Sequence, residues 1–579
     1  MPNSSPHLLI VGGGLAGLSA ALHAAERGAR ISLFSVVPVK RSHSVCAQGG
    51  INAAKNLKGE GDSPWIHFDD TIYGGDFLAN QPLVKRMCEA APGIIDLLDR
   101  MGVPFNRTPE GLLDFRRFGG TLYHRTAFAG ATTGQQLLYA LDEQVRRHEA
   151  SGQVEKFEHW EFLSAVLDDN GVCRGICAMD LRSMEVRTFA ADAVIIATGG
   201  IGAIFGKSTN SIACTGSAQS ALYQQGADYA NGEFIQVHPT AIPGEDKLRL
   251  MSESARGEGG RVWVPKDGKP WYFLEEWYPK YGNLVPRDVA TRAIHKVVYE
   301  LGLGLDGQPA VYLDLTHIPA HELDIKLGGI LEIYEKFVGD DPRKVPMKVF
   351  PAMHYTMGGL WVDNEHQATN IPGLFACGEC EYQYHGANRL GANSLVSCIF
   401  GGAIAGPAAV EYARADTAAG SPRPFEQEKL RQEEINARLF ASEGSENPFV
   451  IWKELGRTMT EHCTVIRVND NLRRADAKLQ ELLERYRKLG LRDKTRWANP
   501  AFFFTRQLYN MLQLARVICL GALARDESRG AHYKPAFAER DDANWLKTTL
   551  ASFAPDADEP RLRYQPVDIS LLPPRPRKY

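Results

Sequence analysis

The first apolar residues of the chain form a short run, HLLIV, that is followed by glycines and an alanine-rich segment, GLSAALHAAERG. The apolar run is typical of a buried strand, and the alanine-rich segment predicts a helix that Gly28 closes. A second apolar run, ARISLF, completes a strand–helix–strand unit over residues 7–34. ADAVIIATGG, residues 191–200, predicts another buried strand. The pattern indicates an α/β domain at the start of the chain.

The pattern changes between about residues 240 and 350, where aromatic residues, prolines and charges alternate. This region is typical of an inserted domain of mixed structure. Segments of strand and glycine return after it, and NSLVSCIFGGAIAG predicts a helix that begins near Asn393. Charged, periodic sequence from about 425 to 520 predicts a helical domain. The proline-rich, basic end, LLPPRPRKY, predicts an extended tail.

The loop VGGGLAG joins the first strand to the first helix and holds Gly12, Gly14 and Gly17 in the GxGxxG spacing. The first glycine permits a tight turn, the second lets the backbone approach a pyrophosphate, and the third lets helix and strand pack closely. The helix N-terminus then faces the anion. This context predicts a dinucleotide site. The second strand ends at Ser35, where an acidic residue usually holds the ribose of NAD, so FAD is favoured.

Composition narrows the classes of partner. The chain has 579 residues, a formal net charge of −4 and ten cysteines without a framework pattern. Its length predicts several domains, its charge argues against nucleic acid, and its cysteines indicate a reducing compartment. The start of the chain does not resemble a signal peptide, and no apolar run approaches the length of a membrane span. We therefore expect no direct membrane insertion.

The cysteines give no evidence of a metal or redox centre. CGEC, residues 377–380, has the Cys-x-x-Cys spacing, but no second pair exists to complete a zinc site, and a glycine-rich strand end is favoured. No cysteine cluster predicts an iron–sulfur centre, and no CxxCH predicts c-type haem. No metal site is predicted. Electrons from a reduced flavin would leave to oxygen, a soluble acceptor or another chain.

Five short segments concentrate polar residues between glycines, namely QVHPT, LMSESARGEGG, PRDVATR, AMHYTMGG and HGANRLGANSL. Four of their side chains would suit a small dianion with two carboxylates if they converge: His238, Ser252, His354 and Arg389. Glu253 and Arg256 are three residues apart and could form a relay pair on one helix face. Each of these residues alone is more often a structural hydrogen-bonder, and periodicity does not establish their convergence.

These motifs, together with RSHSVCAQGGINAAK, GEGDSPWIHFDDTIYGGDFLANQP and FGKSTNS, resemble the flavoprotein subunits of succinate dehydrogenase and fumarate reductase. The resemblance covers nearly the whole chain. Within the family, the sequence looks like the succinate:menaquinone oxidoreductase branch of Gram-positive bacteria. It implies an α/β fold with a Rossmann-like FAD-binding domain split by an α+β capping domain, then a helical domain and a small C-terminal segment. We expect the FAD-binding domain at 1–240 and 351–424, with the capping domain at 241–350, the helical domain at 425–525 and the C-terminal segment at 526–579.

The resemblance also implies that FAD is attached covalently through His43, which matches the histidine of the family's Ser-His-Ser/Thr motif. The residues implied to contact FAD are Gly12, Gly13, Gly14, Leu15, Ala16, Gly17, Ser35, Arg41, Ser42, His43, Ser44, Gln48, Gly49, Gly50, Glu379, Ser394 and Leu395. Two positions depart from the better-known family pattern. Ser252 stands where many members have threonine, and Ser217 stands where many have an aspartate that touches FAD.

For the chemistry, the resemblance implies that His238, Ser252, His354 and Arg389 bind a dicarboxylate. Arg287 matches the arginine that moves the proton, and Glu253 and Arg256 are similar to the relay that connects it to solvent. An arginine side chain ordinarily has a pKa above about 12. It can act as a base only if proton and hydride transfer are tightly coupled and the relay supplies its missing proton.

We therefore expect a catalytic subunit that oxidises succinate to fumarate by hydride transfer to FAD and passes electrons to an iron–sulfur subunit. The resemblance implies a further partner, a membrane-anchoring dihaem cytochrome b that uses menaquinone, and a place on the cytoplasmic face of the cell membrane. Quinol:fumarate reduction in reverse is left open, because residues do not decide direction.

Three other functions are weighed. L-aspartate oxidase has a closely similar site, but its family lacks the flavin-linking histidine. A soluble, self-contained fumarate reductase is disfavoured because the chain has neither a haem motif nor an export signal. A flavin-binding scaffold without chemistry would not need Glu253, Arg256 and Arg287 together.

Overall fold

The structure, a computed structural model, describes residues 5–244, 248–416, 421–557 and 559–579. The first four residues of the predicted FAD-binding domain and residues 417–420 of its second part lie outside this range. Within it the helices are α1 Leu15–Glu26, α2 Pro64–Gly74, α3 Gln81–Arg100, α4 Thr133–Ala150, α5 Ser217–Gln224, α6 Ser254–Gly257, α7 Phe273–Trp277, α8 Arg287–His295, α9 Ala320–Val338, α10 Asn393–Ala415, α11 Arg423–Ala441, α12 Pro448–His462, α13 Asn469–Tyr486, α14 Pro500–Ala524 and α15 Asp542–Trp545.

The strands alternate with these helices in the first half of the chain and are sparse after residue 376. They are β1 His7–Val11, β2 Arg30–Ser35, β3 Ile51–Asn52, β4 Phe115–Arg116, β5 Thr126–Ala127, β6 Val154–Glu158, β7 Trp160–Leu167, β8 Cys173–Asp180, β9 Val186–Ala190, β10 Ala193–Ile196, β11 Tyr229–Ala230, β12 Ile235–Ile242, β13 Arg249–Leu250, β14 Arg261–Lys266, β15 Lys269–Trp271, β16 Val311–Asp314, β17 Met347–Thr356, β18 Gly359–Leu360, β19 Leu374–Ala376, β20 Lys547–Ser552 and β21 Arg561–Pro566.

A parallel sheet in the order β19–β10–β1–β2–β6 forms the centre of the first domain. Its strands are short and apolar because helices cover them, and Leu8, Leu9 and Ile10 have no exposed surface. Helix α10 lies directly on α1, since Gly402 lets the two backbones approach. The predicted α/β class and the buried strands at 7–11 and 193–196 are confirmed.

A mixed domain lies between the two parts of the parallel-sheet domain. Its sheet has the order β13–β12–β17–β16–β14–β15, and helices α8 and α9 contribute to an apolar core that includes Val262, Ile294 and Leu327. Strands β12 and β17 pair antiparallel and are the two connections to the parallel-sheet domain. This pair brings residues 235–242 beside residues 350–356. The predicted boundaries of this domain stay predictions.

Helices α11 to α14 follow, and α13 packs against α14. The C-terminal hairpin β20–β21 then pairs with β11, which gives a four-stranded sheet in the order β18–β11–β20–β21. The last residues, 573–579, form neither helix nor strand, and they pack on the protein. The Arg577 side chain is largely buried, and Tyr579 contacts the rings of Tyr73 and Tyr281.

Helix α10 corrects one expectation. At 23 residues it is long and apolar enough to span a membrane by length and composition, although no such segment was expected from the sequence. However, 72% of its most apolar window is buried inside the protein. A core helix passes the same test, because burial in protein and burial in lipid select the same side chains. The helix is therefore weak evidence for a span.

Candidate active site

A cavity of about 620 Å³ extends from the glycine loop to the β12–β17 pair. It lies within the range typical of cofactor and ligand pockets. Most of the predicted site residues line it: Gly12, Gly13, Gly14, Leu15, Ala16, Ser35, Arg41, Ser42, His43, Ser44, Gln48, Gly49, Gly50, His238, Ser252, Glu253, Arg287, His354, Glu379, Arg389, Ser394 and Leu395. Gly17 and Arg256 do not line the cavity and lie behind it.

The glycine loop has the geometry that a dinucleotide needs. Gly12 has a φ of 121°, and a side chain there would come within 2.1 Å of the Ala197 carbonyl oxygen. A side chain at Gly17 would come within 1.8 Å of the Gly12 carbonyl oxygen, so this glycine keeps α1 close to β1. The backbone of Gly13 and Gly14 borders the cavity at the start of α1. These residues fit the pyrophosphate of FAD.

His43 begins a short 3₁₀ turn, His43–Cys46, beside this loop. The backbone amide of Ser211 donates to its Nδ1 at 3.3 Å, and the Asn210 amide nitrogen lies 3.2 Å from its Nε2. The neighbouring Ser44 hydroxyl accepts a hydrogen bond from the Leu15 amide at 3.2 Å. The Ser-His-Ser segment is therefore held against the start of α1 and against the loop before α5.

Helix α10 begins at the cavity, as the sequence predicts. Asn393 fixes this end, because its side-chain oxygen contacts His67 Nε2 at 2.9 Å and accepts from the Asn52 amide at 2.8 Å. Ser394 and Leu395 then line the cavity. Glu379 lies nearby, and burial raises the pKa of its carboxyl to about 7.

The two predicted histidines face each other from the two connecting strands. His238 on β12 and His354 on β17 have ring centroids 5.0 Å apart. The Thr240 amide donates to His238 Nδ1 at 3.2 Å, and the Thr209 hydroxyl contacts His354 Nδ1 at 2.7 Å. Burial, and next the charge of Arg287, lowers the pKa of both imidazoles well below the ordinary value. Both rings are therefore neutral at physiological pH and can offer an N–H donor without adding charge.

Arg389 lies over the ring of Tyr355, with 4.4 Å from its guanidinium carbon to the ring centroid. Burial, and next the nearby Arg287, lowers the pKa of Arg389 to about 9. Its Nε has no hydrogen-bond partner among the described residues. Ser252 is also buried, with its hydroxyl 2.8 Å from that of Ser254. Both groups are at the cavity and can donate to an anion there.

Arg287, Glu253 and Arg256 form one buried ion-pair chain. Glu253 Oε2 accepts from Nε and Nη2 of Arg287 at 2.9 and 2.6 Å, and its Oε1 accepts from Arg256 Nη2 at 2.7 Å. Burial alone would raise the pKa of Glu253, but the charges of Arg287 and Arg256 lower it. The carboxylate is therefore ionised and shared between two guanidinium groups.

Sequence reasoning missed Gln236, which holds two of the arginines together. Its side-chain oxygen accepts from Arg287 Nη1 at 2.9 Å, while its amide donates to the Arg389 carbonyl at 2.7 Å and to Asn388 at 3.0 Å. Gln236 belongs to the QVHPT segment and lies two residues before His238. Residues two apart in a strand lie on the same face, so this spacing was the available signal. It was missed because glutamine has no chemistry of its own to attract notice.

The site as a whole suits a small dianion. Three arginines and one carboxylate leave an excess of positive charge, and the histidines, Ser252 and Arg389 offer donors on the cavity side. Arg287 lines the cavity with these donors and is hydrogen-bonded to Glu253. Such a site can bind two carboxylates and pass a proton between its centre and the buried ion-pair chain.

No group of three or more histidine, cysteine, aspartate or glutamate side chains suited to a metal ion occurs among the described residues. Cys377 and Cys380 are both free and buried, and Cys380 lies against the Ile196 carbonyl. This is the strand-end context that the sequence favours for CGEC.

Comparison with known proteins decides the family. The FAD binding domain model matches residues 7–395, and the model described as fumarate reductase flavoprotein C-term matches residues 452–579. The chain is 66% identical to the succinate dehydrogenase flavoprotein subunit of Bacillus subtilis (strain 168), over 100% of this chain and 99% of that protein. The chain belongs to the family of succinate dehydrogenase and fumarate reductase flavoprotein subunits.

Further relatives show lower identity to this chain. The fumarate reductase flavoprotein subunit of Escherichia coli (strain K12) is 38% identical over 99% of this chain and 95% of its own length. A solved quinol–fumarate reductase with menaquinol molecules superposes with a TM-score of 0.91 at 36% identity, covering 99% of this chain and 100% of that chain. Mycobacterium smegmatis Sdh1 in complex with UQ1 gives 0.84 at 31% identity, covering 98% and 95%.

Membership confirms the resemblance, the predicted fold class and FAD as cofactor, and makes the chain an FAD-dependent oxidoreductase. The covalent link at His43 and the roles of the individual residues stay predictions.

Proposed function

We propose that this chain is the catalytic flavoprotein subunit of a succinate:quinone oxidoreductase and that it oxidises succinate to fumarate. The observation that carries the proposal is the set of buried His238, Arg287 and Arg389 with partly buried His354, which lines the same cavity as the glycine loop. The 66% identity over the full chain to a succinate dehydrogenase subunit supports this direction of the reaction.

The substrate is held by its two carboxylates. Arg389 is fixed over Tyr355 and has free donor capacity toward the cavity, which suits a bidentate grip on one carboxylate. His238 Nε2 has no partner among the described residues, and as a neutral ring nitrogen it would donate to an oxygen of the dianion. His354 and Ser252 complete the binding groups. Burial excludes water and strengthens each of these contacts.

Oxidation removes a hydride from one central carbon of succinate and a proton from the other, so that the single bond between them becomes double. FAD, when bound, supplies the acceptor for the hydride. As Arg287 takes the proton from succinate, it passes one of its own N–H protons to Glu253, held 2.6 Å from its Nη2, and Glu253 passes a proton to Arg256 as Arg256 releases one. The charge of the buried ion-pair chain does not change, because each group gives up one proton as it receives another.

We infer that FAD is joined covalently to His43. The imidazole lines the same cavity as the glycine loop, and contacts with Ser211 and Asn210 hold it in place there. An alkylated imidazole withdraws electrons, and the flavin potential rises as a result. That change suits the oxidation of a saturated carbon–carbon bond.

The electrons must leave the chain, since it carries no other redox centre in its described part. We propose an iron–sulfur subunit as acceptor, and a dihaem cytochrome b that exchanges electrons with menaquinone as the membrane anchor. The chain would then lie on the cytoplasmic face of the cell membrane, held there through these partners. The quinol–fumarate reductase with menaquinol and the Sdh1 in complex with UQ1, among its structural relatives, support a quinone-linked assembly.

Substrate specificity tests the proposed function. The chain, co-expressed with its partner subunits, should reduce an artificial dye with succinate, and L-aspartate should give no reaction. Arg438, an exposed arginine on α11, provides a control: Arg438→Ala should leave the rate unchanged. Dye reduction by aspartate but not by succinate would show that the chain is an aspartate oxidase.

A denaturing gel tests the covalent link. Acid-precipitated protein should give a band with flavin fluorescence, and the His43→Ser variant should lose that band while it still binds FAD in its native state. A dark band from native protein that holds FAD would mean that the cofactor is only bound. The link at His43 would then be wrong.

A further inference from the structure

The cavity is also lined by polar residues other than the histidines and arginines of the anion site, among them Ser35, Glu161 and Ser217. Ser35 lies at the carboxyl edge of the parallel sheet, where β2 ends beside Glu158 of β6. The chain turns after β6 at His159, which has a φ of 65°, and enters β7 with Trp160 and Glu161. In a doubly wound sheet this edge, at the end of the second strand, is where the adenosine ribose is held.

Both positions at which an acidic residue would be expected here carry serine. Ser35 ends β2 in place of the usual ribose-binding acid, and Ser217 stands where many family members have an aspartate that touches FAD. The Ser35 hydroxyl donates to the Val37 carbonyl at 2.6 Å, and the Ser217 hydroxyl accepts from the Asn510 amide at 2.8 Å. Neither serine brings a carboxylate to the cofactor.

Glu161 brings a carboxylate to the same cavity. It lines the cavity together with Ser35 and Ser217, and its residue is only 4% exposed. Its Oε1 accepts from the Gln507 amide at 2.8 Å, but its Oε2 has no hydrogen-bond partner among the described residues. A buried carboxylate oxygen without a partner costs free energy, so a partner is expected from whatever fills the cavity.

Helix α14 connects Glu161 with Ser217. Gln507 and Asn510 are three residues apart on this helix, which places them on one face, and they bond to Glu161 and Ser217 respectively. Burial raises the pKa of Glu161 to about 7, although the Gln507 hydrogen bond and the charge of Arg506 lower it in part. Glu161 is therefore held in a defined position by a rigid element, as a ligand-binding carboxylate should be.

We propose that Glu161 binds the adenosine half of FAD: its Oε2 accepts a hydrogen bond from a donor on the adenosine, the contact that an acidic residue at 35 or 217 would otherwise make. The proposal rests on FAD as the cofactor and not on the direction of the reaction or the covalent link. It deepens the cofactor site by naming a residue outside every motif that the sequence brought out.

The test measures cofactor affinity rather than turnover. The full chain with its partners is prepared in a His43→Ser background, freed of flavin, and titrated with FAD, with ADP and with FMN, which lacks adenosine. At pH 8.5, where Glu161 is ionised, Glu161→Ala should weaken FAD and ADP by the same factor, about 10- to 100-fold, because a hydrogen bond to a charged group is lost. FMN affinity should change less than about twofold.

Three variants sharpen the result. Glu155→Gln, an exposed glutamate on β6, is the matched control and should bind all three ligands as the parent does. Glu161→Gln keeps the size of the side chain and an oxygen for Gln507, so it covers the case in which Glu161→Ala does not fold; it too should weaken FAD and ADP. Adding Ser217→Asp to Glu161→Ala should restore FAD affinity at least in part.

Two results would overturn the proposal. FAD affinity within about twofold of the parent in both Glu161 variants would show that the carboxylate makes no cofactor contact. An equal loss for FMN and FAD would show that Glu161 shapes the fold and does not recognise adenosine. Neither result depends on succinate turnover, so a failure of the proposed reaction would be seen separately.

Discussion

At Glu253 one carboxylate serves two guanidinium groups, with 2.6 Å to Arg287 and 2.7 Å to Arg256. An isolated buried charge would be expelled or neutralised, so each of the three groups needs the other two. This arrangement explains how arginines can be held at a cavity that must also accept a dianion. Of the three nitrogen atoms of Arg287, Nη1 does not bond to Glu253 and donates instead to a neutral side chain.

That neutral side chain is Gln236, and we expect its replacement to slow the reaction. Replacing it by leucine removes the acceptor for Arg287 Nη1 and the donors to Arg389 and Asn388, so both arginines lose their alignment. Gln236→Leu should lower kcat about 10- to 100-fold, as small misplacements of reacting groups do. Gln236→Glu keeps an acceptor for Arg287 and should recover part of the loss.

Steady-state kinetics with succinate at saturating dye measures this effect. FAD content per chain is measured alongside, since a merely unfolded variant would lose its cofactor. A wild-type kcat in Gln236→Leu would show that Gln236 does not position the two arginines.

His67 gives a prediction about pH. It is buried beneath the start of α10, and burial, with the charge of Arg125 next, lowers its pKa to about 3. The unfolded chain takes up a proton at this histidine below its ordinary pKa of about 6.5, whereas the folded chain does not. Its contribution to stability is therefore intact above pH 6.5 and declines as the pH falls from 6.5 towards 3.

The variant His67→Gln has no proton to take up at this position and can still donate to Asn393 Oδ1. Between pH 7.5 and 5.5 the wild-type protein should lose about 1.4 kcal/mol of stability more than the variant does. Urea unfolding at the two pH values measures the difference. Equal losses in the two proteins would mean that His67 is protonated in the fold.

At the scale of elements, the nucleotide site could be predicted because it is local. Gly12, Gly14 and Gly17 lie within six residues, and their spacing alone carries the strand–loop–helix geometry. The anion site could not be predicted in the same way. His238 and His354 meet because β12 pairs with β17 across more than a hundred residues, and nothing in either segment encodes the register. The family resemblance supplied that convergence in advance.

The contact of α1 with α10 yields a prediction about an element. A side chain at Gly402 would come within 2.4 Å of the Ala16 carbonyl oxygen, so Gly402→Ala must separate the two helices. Both helices begin at the cavity, and FAD affinity should fall together with stability. Overpacking of this kind costs about 1–3 kcal/mol.

A matched control is available in α3, where Gly93 faces open space. Gly93→Ala should be neutral or slightly stabilising, because alanine favours a helix over glycine. Thermal unfolding with and without added FAD compares the two variants. Equal melting temperatures for Gly402→Ala and Gly93→Ala would contradict the close contact of α1 and α10.

At the scale of the whole molecule, the C-terminal tail joins the two domains that form the site. Arg577 Nη1 and Nη2 donate to Asp288 at 2.8 and 3.1 Å, and Asp76 lies 3.4 Å from Nη1. Asp288 follows Arg287 on α8, while Asp76 lies just past α2. The sequence predicts an extended tail but not its place, since its two partners are 289 and 501 residues away.

Arg577→Ala should therefore destabilise the protein. Removing the cation leaves Asp288 with the longer contact to Arg292, at 3.3 Å, and Asp76 with Arg540. The loss of hydrogen bonds to charged groups costs about 1.5–3 kcal/mol. The melting temperature of the holoprotein should fall, and amide exchange in α8 should speed up. Arg561→Ala, at an exposed arginine of β21, serves as the control and should change neither. An Arg577→Ala protein as stable as this control would show that the contacts of the tail with the two domains do not stabilise the protein.

The proposed oxidation of succinate requires Arg287 as the proton acceptor. The most direct measurement is anaerobic mixing of the FAD-loaded protein with succinate while the visible absorbance of the oxidised flavin is followed. The wild-type protein should bleach rapidly, and Arg287→Ala, with the same FAD content, should bleach at least about 100-fold more slowly, the size expected for loss of a general base. Bleaching of Arg287→Ala at the wild-type rate would contradict the account, and another group would then have to take the proton.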